Sequence, residues 1–359
     1  MIIKEGKIST SQMFSVLFLC RIISLFTFML PSASYLPAGD HVIAALTVGL
    51  FEIVYSLIIF LILRINKKGL IIETAQFSSI LAKISSIVYC LCFIWFAGIG
   101  VARFELFLST VMFPNSELYF MIFLLLGASF YSSLKGTEAI GRASAVLSMI
   151  LVASVIFVLT AVAGDFEITN LQPILTKGVT PVLSFSFYTS VRTVELITIL
   201  INAPKVNGSI KKMTLLWIVF LAIIITIILI FLLGVTGEYG NDQIFPLYTL
   251  TVIAKFGIFE RLDDILTGIW VFCIFIQVSY LINTCYIALE QSFKQVKKIP
   301  SGLICSTGIF VVYLISSQTV SVFSEIVSSK IMEIMFILLL AVIPLLLSLA
   351  NKINKRRKS

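Results

Sequence analysis

Arginine and glutamate residues inside apolar stretches are the side chains of this sequence that could carry chemistry. Arg21 stands near the middle of a stretch from about residue 10 to 31, roughly 15 Å from either end if the stretch is helical. At that depth in a bilayer a guanidinium costs at least about 2.5 kcal/mol unless it meets a partner or a water-filled cavity. Arg21 therefore indicates either a ligand pocket or a structural ion pair.

Two carboxylates are expected at comparable depth in other stretches. Glu195 has three open interpretations: an ion pair with Arg21, an ion pair with Arg192 three residues earlier on the same helix face, or a protonated and unpaired acid. Glu52 lies at the middle of the second stretch with no partner near it in the sequence, and burial could keep it neutral. Glu52 and Glu195 are therefore the candidates for proton or ion coupling.

The sixth apolar stretch departs from an ordinary membrane helix. After Pro181 it carries the run SFSFYTS, which places small polar and aromatic residues where Leu and Ile would normally dominate. The first stretch is interrupted in a similar way by Arg21 and Ser24 and is closed by Pro31. Discontinuous helices at corresponding positions of two halves are typical of transporter sites at the membrane midplane. A ligand site between these two stretches is the prediction.

The eighth stretch has a polar edge made by Gln277, Tyr280, Asn283 and Thr284. Such an edge either holds helices together or contacts a ligand. Together with the two interrupted stretches it completes the candidate ligand-binding set: Arg21, Ser24, Ser184, Ser186, Phe187, Tyr188, Glu195 and Tyr280.

The remaining ionisable residues predict no catalysis. Arg103 and Glu105 lie about twenty residues beyond Lys83, so they are expected to reach the outer interface and to anchor there. His41, the single histidine, has no second histidine or carboxylate cluster beside it for a metal or a Ser-His-Asp site. No glycine-rich loop ending in Gly-Lys-Ser or Gly-Lys-Thr occurs either. We expect no metal, no cofactor and no enzyme activity.

Composition identifies the medium in which these residues lie. Hydrophobic residues make up 59% of the 359 residues and charged residues only 12%, whereas charged residues approach a quarter of a soluble chain. Several charge-free runs reach the roughly 20 residues that a helix needs to span a bilayer. The chain is therefore expected to be an integral membrane protein, with the lipid bilayer as a partner.

The basic residues predict the topology. Of the 26 Lys and Arg residues, nineteen lie in the two tails and in every second gap between apolar stretches, and only four lie in the alternate gaps. Because cationic loops stay in the cytoplasm, both termini are expected inside. The same loops account for the formal charge of +8, so nucleic-acid binding is not indicated.

The apolar pattern predicts one polytopic domain over residues 1–359, with ten helices. Two five-helix halves of opposite orientation are expected, a first repeat at about 10–163 and a second at about 181–351, with helices one and six discontinuous. The short segment 244–256, which contains Pro246, is predicted to be an external helix that lies in the interface or folds back, and it is a candidate lid. The expected helices run near 10–31, 42–63, 83–106, 118–134, 139–163, 181–203, 213–236, 262–288, 301–321 and 331–351.

Local motifs carry a family resemblance. They are the run from Lys135 to Arg142, KGTEAIGR, before the fifth helix, and the run from Phe259 to Asp264, FERLDD, followed by Trp270. Gln12, Pro31 and Pro204 also stand at positions that add to this resemblance. In order and spacing the chain resembles the endospore germination permease family, the membrane B subunits of nutrient germinant receptors within the amino acid/polyamine/organocation transporter superfamily.

The resemblance implies an all-α, LeuT-like fold of ten helices and residence in the spore inner membrane. It also implies a ligand pocket among helices one, three, six and eight, a small nutrient such as an amino acid as the ligand, and the receptor A and C subunits as partners. The function expected on this basis is germinant sensing. A proton-coupled amino-acid transporter is the alternative.

Overall fold

The computed structural model of the chain describes residues 7–26, 36–114, 116–241, 243–254 and 263–358. These residues are almost entirely helical, which confirms the expected all-α class. The helices of the first half are α1 Thr10–Phe26, α2 Ala38–Ile65, α3 Leu70–Phe77, α4 Ser79–Phe107, α5 Tyr119–Lys135 and α6 Thr137–Val162. Those of the second half are α7 Val179–Val191, α8 Val194–Asn202, α9 Ile210–Thr236, α10 Glu238–Asn241, α11 Pro246–Ile253, α12 Asp263–Ser292, α13 Lys298–Ser316, α14 Val320–Ser328, α15 Lys330–Ile337 and α16 Ile343–Lys358.

Seven helical segments within the described ranges are long and apolar enough to cross a membrane. They are Ala38–Ile65, Ser79–Met112, Thr137–Asp165, Ile210–Thr236, Thr267–Ser292, Lys298–Ser316 and Val322–Lys355. Two shorter apolar helices, Thr10–Ile23 and Tyr119–Lys135, accompany them. The chain is thus an integral, multi-pass membrane protein.

The centre of the bundle is formed by α12 and α4, which pack against each other, and α12 also packs against α1. In its apolar window α12 has 78% of its residues buried and α4 has 61%, whereas α6 has only 22%. The exposed apolar faces of the outer helices suit contact with lipid, because lipid tails are as apolar as these side chains and the hydrophobic effect does not favour burying them. The central helices are therefore the ones that can surround an internal site.

Helix six is broken, as predicted. Its first half, α7, ends at Val191 and its second half, α8, begins at Val194, so Arg192 and Thr193 form a non-helical joint. The amide of Thr193 still donates to the carbonyl of Ser190 at 3.3 Å. A joint of this kind places side chains and helix ends inside the bundle where a ligand can reach them.

The described part of helix one, α1, is continuous from Thr10 to Phe26 and passes through Arg21 and Ser24 without a break. The discontinuity expected of the stretch 10–31 therefore stays a prediction for its last residues. Residues 27–35, which include Pro31, lie outside the described residues.

The start of α1 is tied to the end of helix six. Strand β1, Ile8–Ser9, pairs in parallel with strand β2, Val206–Asn207. Ser9 and Gln12 then cap α1 reciprocally, since the Ser9 amide donates to Gln12 Oε1 at 3.0 Å and the Gln12 amide donates to Ser9 Oγ at 3.2 Å. This capping box fixes where helix one begins.

The predicted lid segment forms the short helix α11. Phe245 and Tyr248 place their rings 5.2 and 5.4 Å from the ring of Phe107 on α4, and Phe107 lies 4.2 Å from Trp270 on α12. This aromatic cluster packs α11 and α12 against the last turn of α4. Residues 255–262, which carry most of the FERLDD run, lie outside the described residues.

Candidate functional site

Three arginines and three glutamates from five helical segments meet around the joint of helix six. The first pair joins α1 to α2, because Arg21 Nη2 lies 2.9 Å from Glu52 Oε1, with 9% and 5% of the two side chains exposed. The hydroxyl of Thr193, in the joint, lies 2.6 Å from the same Glu52 oxygen. Glu52 therefore has partners on both sides, although the sequence offered none nearby.

The second pair joins the joint of helix six to the last membrane segment. Arg192 Nη2 lies 2.8 Å from Glu333 Oε1 on α15, with 23% and 13% of the side chains exposed. Arg192 is thereby directed away from Glu195. Among the described residues neither arginine forms an ion pair with Glu195, since the structure pairs each with another carboxylate, although Arg21 still acts on Glu195 electrostatically.

Glu195 is left as a buried acid at the start of α8. The residue is only 2% exposed, and neither carboxylate oxygen accepts a hydrogen bond from another residue within the described ranges. Its position in the first turn of α8 is favourable for negative charge, since the helix dipole is positive there. A buried carboxylate without a partner is costly to keep, so it marks a place where a ligand or a proton is expected.

Arg103 is the third arginine, and it lines an internal cavity instead of only anchoring its helix as expected. The helix continues through a π-helical turn to Met112, so more than two helical turns follow Arg103 before the segment ends. Its guanidinium lies 5.8 Å from the ring centroid of Phe323, and it interacts electrostatically with Arg21, Arg192 and Glu195. In the described part of the chain it has no ion pair. Glu105 is half-buried on the same helix.

A small cavity brings Arg103 and Glu195 together. Its mouth included, the space measures about 300 Å³, but its enclosed part holds on the order of one water molecule. The cavity is therefore closed to an amino acid in this conformation. The lining residues are Cys20, Arg21, Ile23, Phe96, Ile99, Gly100, Arg103, Glu195 and Gln277.

One wall of the cavity depends on a glycine. A Cβ on Gly100 would lie 2.6 Å from Gln277 Oε1, so any larger residue would require this amide to move. Gln277 Nε2 in turn donates to the carbonyl of Cys20 on α1 at 3.4 Å, while its Oε1 has no hydrogen-bond partner among the residues described. Gln277 thus connects α12, α4 and α1 at the cavity and keeps one acceptor free.

The polar run on α7 is not brought to this cavity. Ser184, Phe187 and Tyr188 lie on the exposed face of α7. Ser186 is buried against α2, where its hydroxyl lies 2.9 Å from the hydroxyl of Thr47. The side chain of Ser24 is outside the described residues. Composition suggested a binding role for this run, but the rotation of α7 directs it toward α2 and the outside of the bundle.

Tyr280 also lies outside the cavity lining. Its hydroxyl donates to Thr198 Oγ1 at 3.0 Å and accepts from Asn202 Nδ2 at 3.2 Å, and Asn202 also donates to Thr284 at 3.1 Å. This network joins α12 to the half-helix α8, which follows the joint in the chain. Its geometry is that of helix packing through hydrogen bonds.

His41 packs its ring 5.4 Å from Phe185 near the start of α2, and no metal-binding cluster occurs within the described ranges.

Comparison with known proteins places the chain among the germination proteins. A family model described as "Spore germination protein" matches residues 7–321. The chain belongs to this family. A relative, spore germination protein KB of Bacillus subtilis (strain 168), is 27% identical over 250 residues, which is 67% of this chain and 66% of the relative. The chain thus aligns with slightly under two thirds of that protein.

The fold of this spore germination protein is also that of a known transporter. A Na⁺-coupled sialic acid symporter, in a substrate-bound outward-open state, matches 93% of the chain and 79% of its own length with a TM-score of 0.60 and 14% identity. At this identity the match shows the fold alone. It supports a membrane, permease-like architecture for the family member described here.

Two motifs of the germination protein have structural roles near the site. Thr137, in the KGTEAIGR run, accepts a hydrogen bond from Asn283 Nδ2 on α12 at 3.0 Å. Asp263, at the start of α12, accepts one from the hydroxyl of Tyr248 at 3.1 Å. Both contacts hold α12, which carries Gln277.

The sequence did not single out Glu333, Gly100 or Phe323, and the only signal for Glu333 was an acid near the start of the tenth apolar stretch.

Proposed function

We propose that this protein is the permease-like membrane subunit of a spore germinant receptor, which binds a small nutrient, an amino acid, in the cavity beside the joint of helix six. One observation carries the proposal. Of the six charged residues around the joint, four form two ion pairs, and the two that remain, Arg103 and Glu195, line the same cavity.

These two groups are complementary to a zwitterion. A carboxylate suits the planar donors of Arg103, and an ammonium group suits the free oxygens of Glu195. Glu195 is buried and Arg103 is partly buried, where an unpaired charge is costly, and a bound amino acid would neutralise both charges at once while adding no net charge. Gln277 Oε1, which has no partner in the described part of the chain, offers an additional acceptor.

Binding requires the cavity to open, since it is closed in this conformation. The joint at Arg192 and Thr193 and the short helix α11 are the elements best suited to move, because a non-helical joint and a short lid can change without unfolding a membrane helix. An amino acid that binds only the open state would shift the population toward it. In the proposed receptor, this shift is the signal passed to the A and C subunits.

The membrane arrangement that fits this function has ten crossings. The seven long segments, the two shorter apolar helices and the broken pair of α7 and α8 would supply them. We place the two inverted repeats at about 10–163 and 181–351, both termini in the cytoplasm and the protein in the spore inner membrane. The distribution of the basic residues supports this orientation.

A proton-coupled amino-acid transporter is the second candidate. The unpartnered carboxylate of Glu195 and the symporter-like fold favour it. In this function Glu195 would bind and release the proton, while Glu52, held by Arg21 and Thr193, would stay in its ion pair. An enzyme function has no support from the residues that surround the cavity.

Two experiments test these functions. Purified protein in detergent is heated with each of the twenty common amino acids, and at least one is expected to raise the midpoint of unfolding, since a ligand of the native state stabilises it. The most stabilising amino acid is then supplied in labelled form to proteoliposomes. Saturable binding without accumulation supports sensing, whereas accumulation driven by a proton gradient supports transport. Stabilisation by none of the twenty would contradict both.

A further inference from the structure

The position of Arg192 raises the question of why Glu195 is free. The two residues are only three positions apart, with Thr193 of the joint and Val194 between them. Arg192 nevertheless extends to α15 and pairs with Glu333 at 2.8 Å. Its Nε atom is buried and makes no hydrogen bond to any described residue, so the pair with Glu333 holds it by one end only.

Removal of Glu333 would leave Arg192 with one attractive alternative. Arg192 interacts electrostatically with Arg103, which repels it, and Glu52 is occupied by Arg21 and Thr193. Glu195 is the buried carboxylate of this group that has no hydrogen-bond partner among the residues described. A guanidinium that loses its partner in a buried site has a strong drive to find another, and Glu195 is the nearest along the chain.

We infer that Glu333 is a positioning residue for the binding site: it keeps Arg192 off Glu195, and so reserves Glu195 for the ammonium group of the ligand. This inference rests on the proposed function and adds to it a determinant of specificity. The last membrane segment thereby controls a charge on helix six, although the lining residues of the cavity include neither Arg192 nor Glu333.

The test uses charge-neutral variants in the full-length protein. The variants are Glu333→Gln, Arg192→Gln and the double variant, with Glu325→Gln on the exposed face of α14 as the matched control. The probes are the most stabilising amino acid of the twenty and its hydroxy-acid analogue, in which a hydroxyl replaces the ammonium group. Affinity for each probe is measured by displacement of the labelled amino acid.

Glu333→Gln is expected to weaken amino-acid binding about tenfold or more, because the released Arg192 occupies Glu195. The hydroxy acid, which has no ammonium group, should lose less. Arg192→Gln removes the guanidinium that could occupy Glu195, so it should lose clearly less affinity than Glu333→Gln, and the double variant should recover the affinity lost in Glu333→Gln. Glu325→Gln should stay within about twofold, as exposed substitutions usually do.

A merely structural ion pair gives a different pattern. If the pair only tethers α15 to helix six, Arg192→Gln and the double variant should bind as weakly as Glu333→Gln, and this result would overturn the inference. Wild-type affinity in Glu333→Gln would overturn it as well. Failure of the proposed function is separate, because then the wild type itself binds none of the amino acids, or Glu195→Gln binds them as well as the wild type does.

Discussion

Arg21 and Glu52 form a buried ion pair at 2.9 Å that joins the first two membrane helices beside the joint of helix six. The pair explains how a charge can remain buried inside α1. It also leaves Glu195 to the cavity, because the arginine that the sequence suggested for Glu195 is already engaged.

Glu52→Gln should destabilise the protein by about 3–5 kcal/mol, because it removes the charge that lies 2.9 Å from the buried guanidinium of Arg21 and breaks a buried ion pair by one partner. The midpoint of thermal unfolding in detergent measures this. Glu138→Gln is the matched control, since the Glu138–Arg142 pair is a largely exposed contact within one helix and such pairs contribute about 0.3–0.5 kcal/mol. Equal midpoints for the two variants would show that the buried pair does not hold the helices.

Thr193→Val should loosen the joint of helix six. The substitution keeps the shape but removes the hydroxyl that lies 2.6 Å from Glu52 Oε1, a loss of about 1–2 kcal/mol for a buried hydrogen bond. Hydrogen exchange in α8 should become faster. Thr160→Val, at an exposed position where the hydroxyl only bonds the carbonyl of Phe157, should leave exchange unchanged. Unaltered exchange in both variants would contradict the role of Thr193.

Gly100→Ala should weaken the affinity for the amino acid, while the midpoint of unfolding should change little. The added Cβ would lie 2.6 Å from Gln277 Oε1, so the amide that lines the cavity would have to move. Gly127→Ala is the control, because nothing lies within 4 Å of its added Cβ and alanine favours a helix by about 1 kcal/mol over glycine. Binding by displacement and unfolding midpoints are measured for both. Normal binding in Gly100→Ala would exclude Gln277 from the site.

The proposed topology predicts opposite labelling of two loops. In intact cells an impermeant maleimide should modify Lys177→Cys from outside, whereas Lys294→Cys should react only after the membrane is opened. Background reaction is expected to be low, because the six native cysteines are free and buried. Labelling of Lys294→Cys in intact cells would reverse the orientation.

The sequence predicted the depth of the charges better than their partners. Arg21, Glu52 and Glu195 were all expected inside the bundle because a charge in an apolar stretch is visible in one dimension. Which carboxylate meets Arg21 depends on how α1, α2 and helix six pack, and spacing along the chain does not contain that information. The break in helix six was predicted for a different reason, its polar composition, and lies a few residues after the run that suggested it.

For Arg103 and the α7 run, the sequence predicts the wrong surroundings. A helix that ends near residue 106 would place Arg103 at the interface, but the segment continues to Met112. Ser184, Phe187 and Tyr188 were expected at the site because of their chemistry. Their exposure on α7 depends on how the helix is rotated about its axis, which a run of mixed polar and aromatic residues leaves undetermined.

The central claim is that Arg103 and Glu195 recognise the two charges of one zwitterion. The most direct measurement compares the affinity of the wild type, Arg103→Gln and Glu195→Gln for the most stabilising amino acid and for its hydroxy-acid analogue. The wild type should prefer the amino acid by about tenfold or more, Glu195→Gln should lose this preference, and Arg103→Gln should bind both compounds weakly. An unchanged preference in Glu195→Gln, or unchanged affinities in Arg103→Gln, would contradict the account.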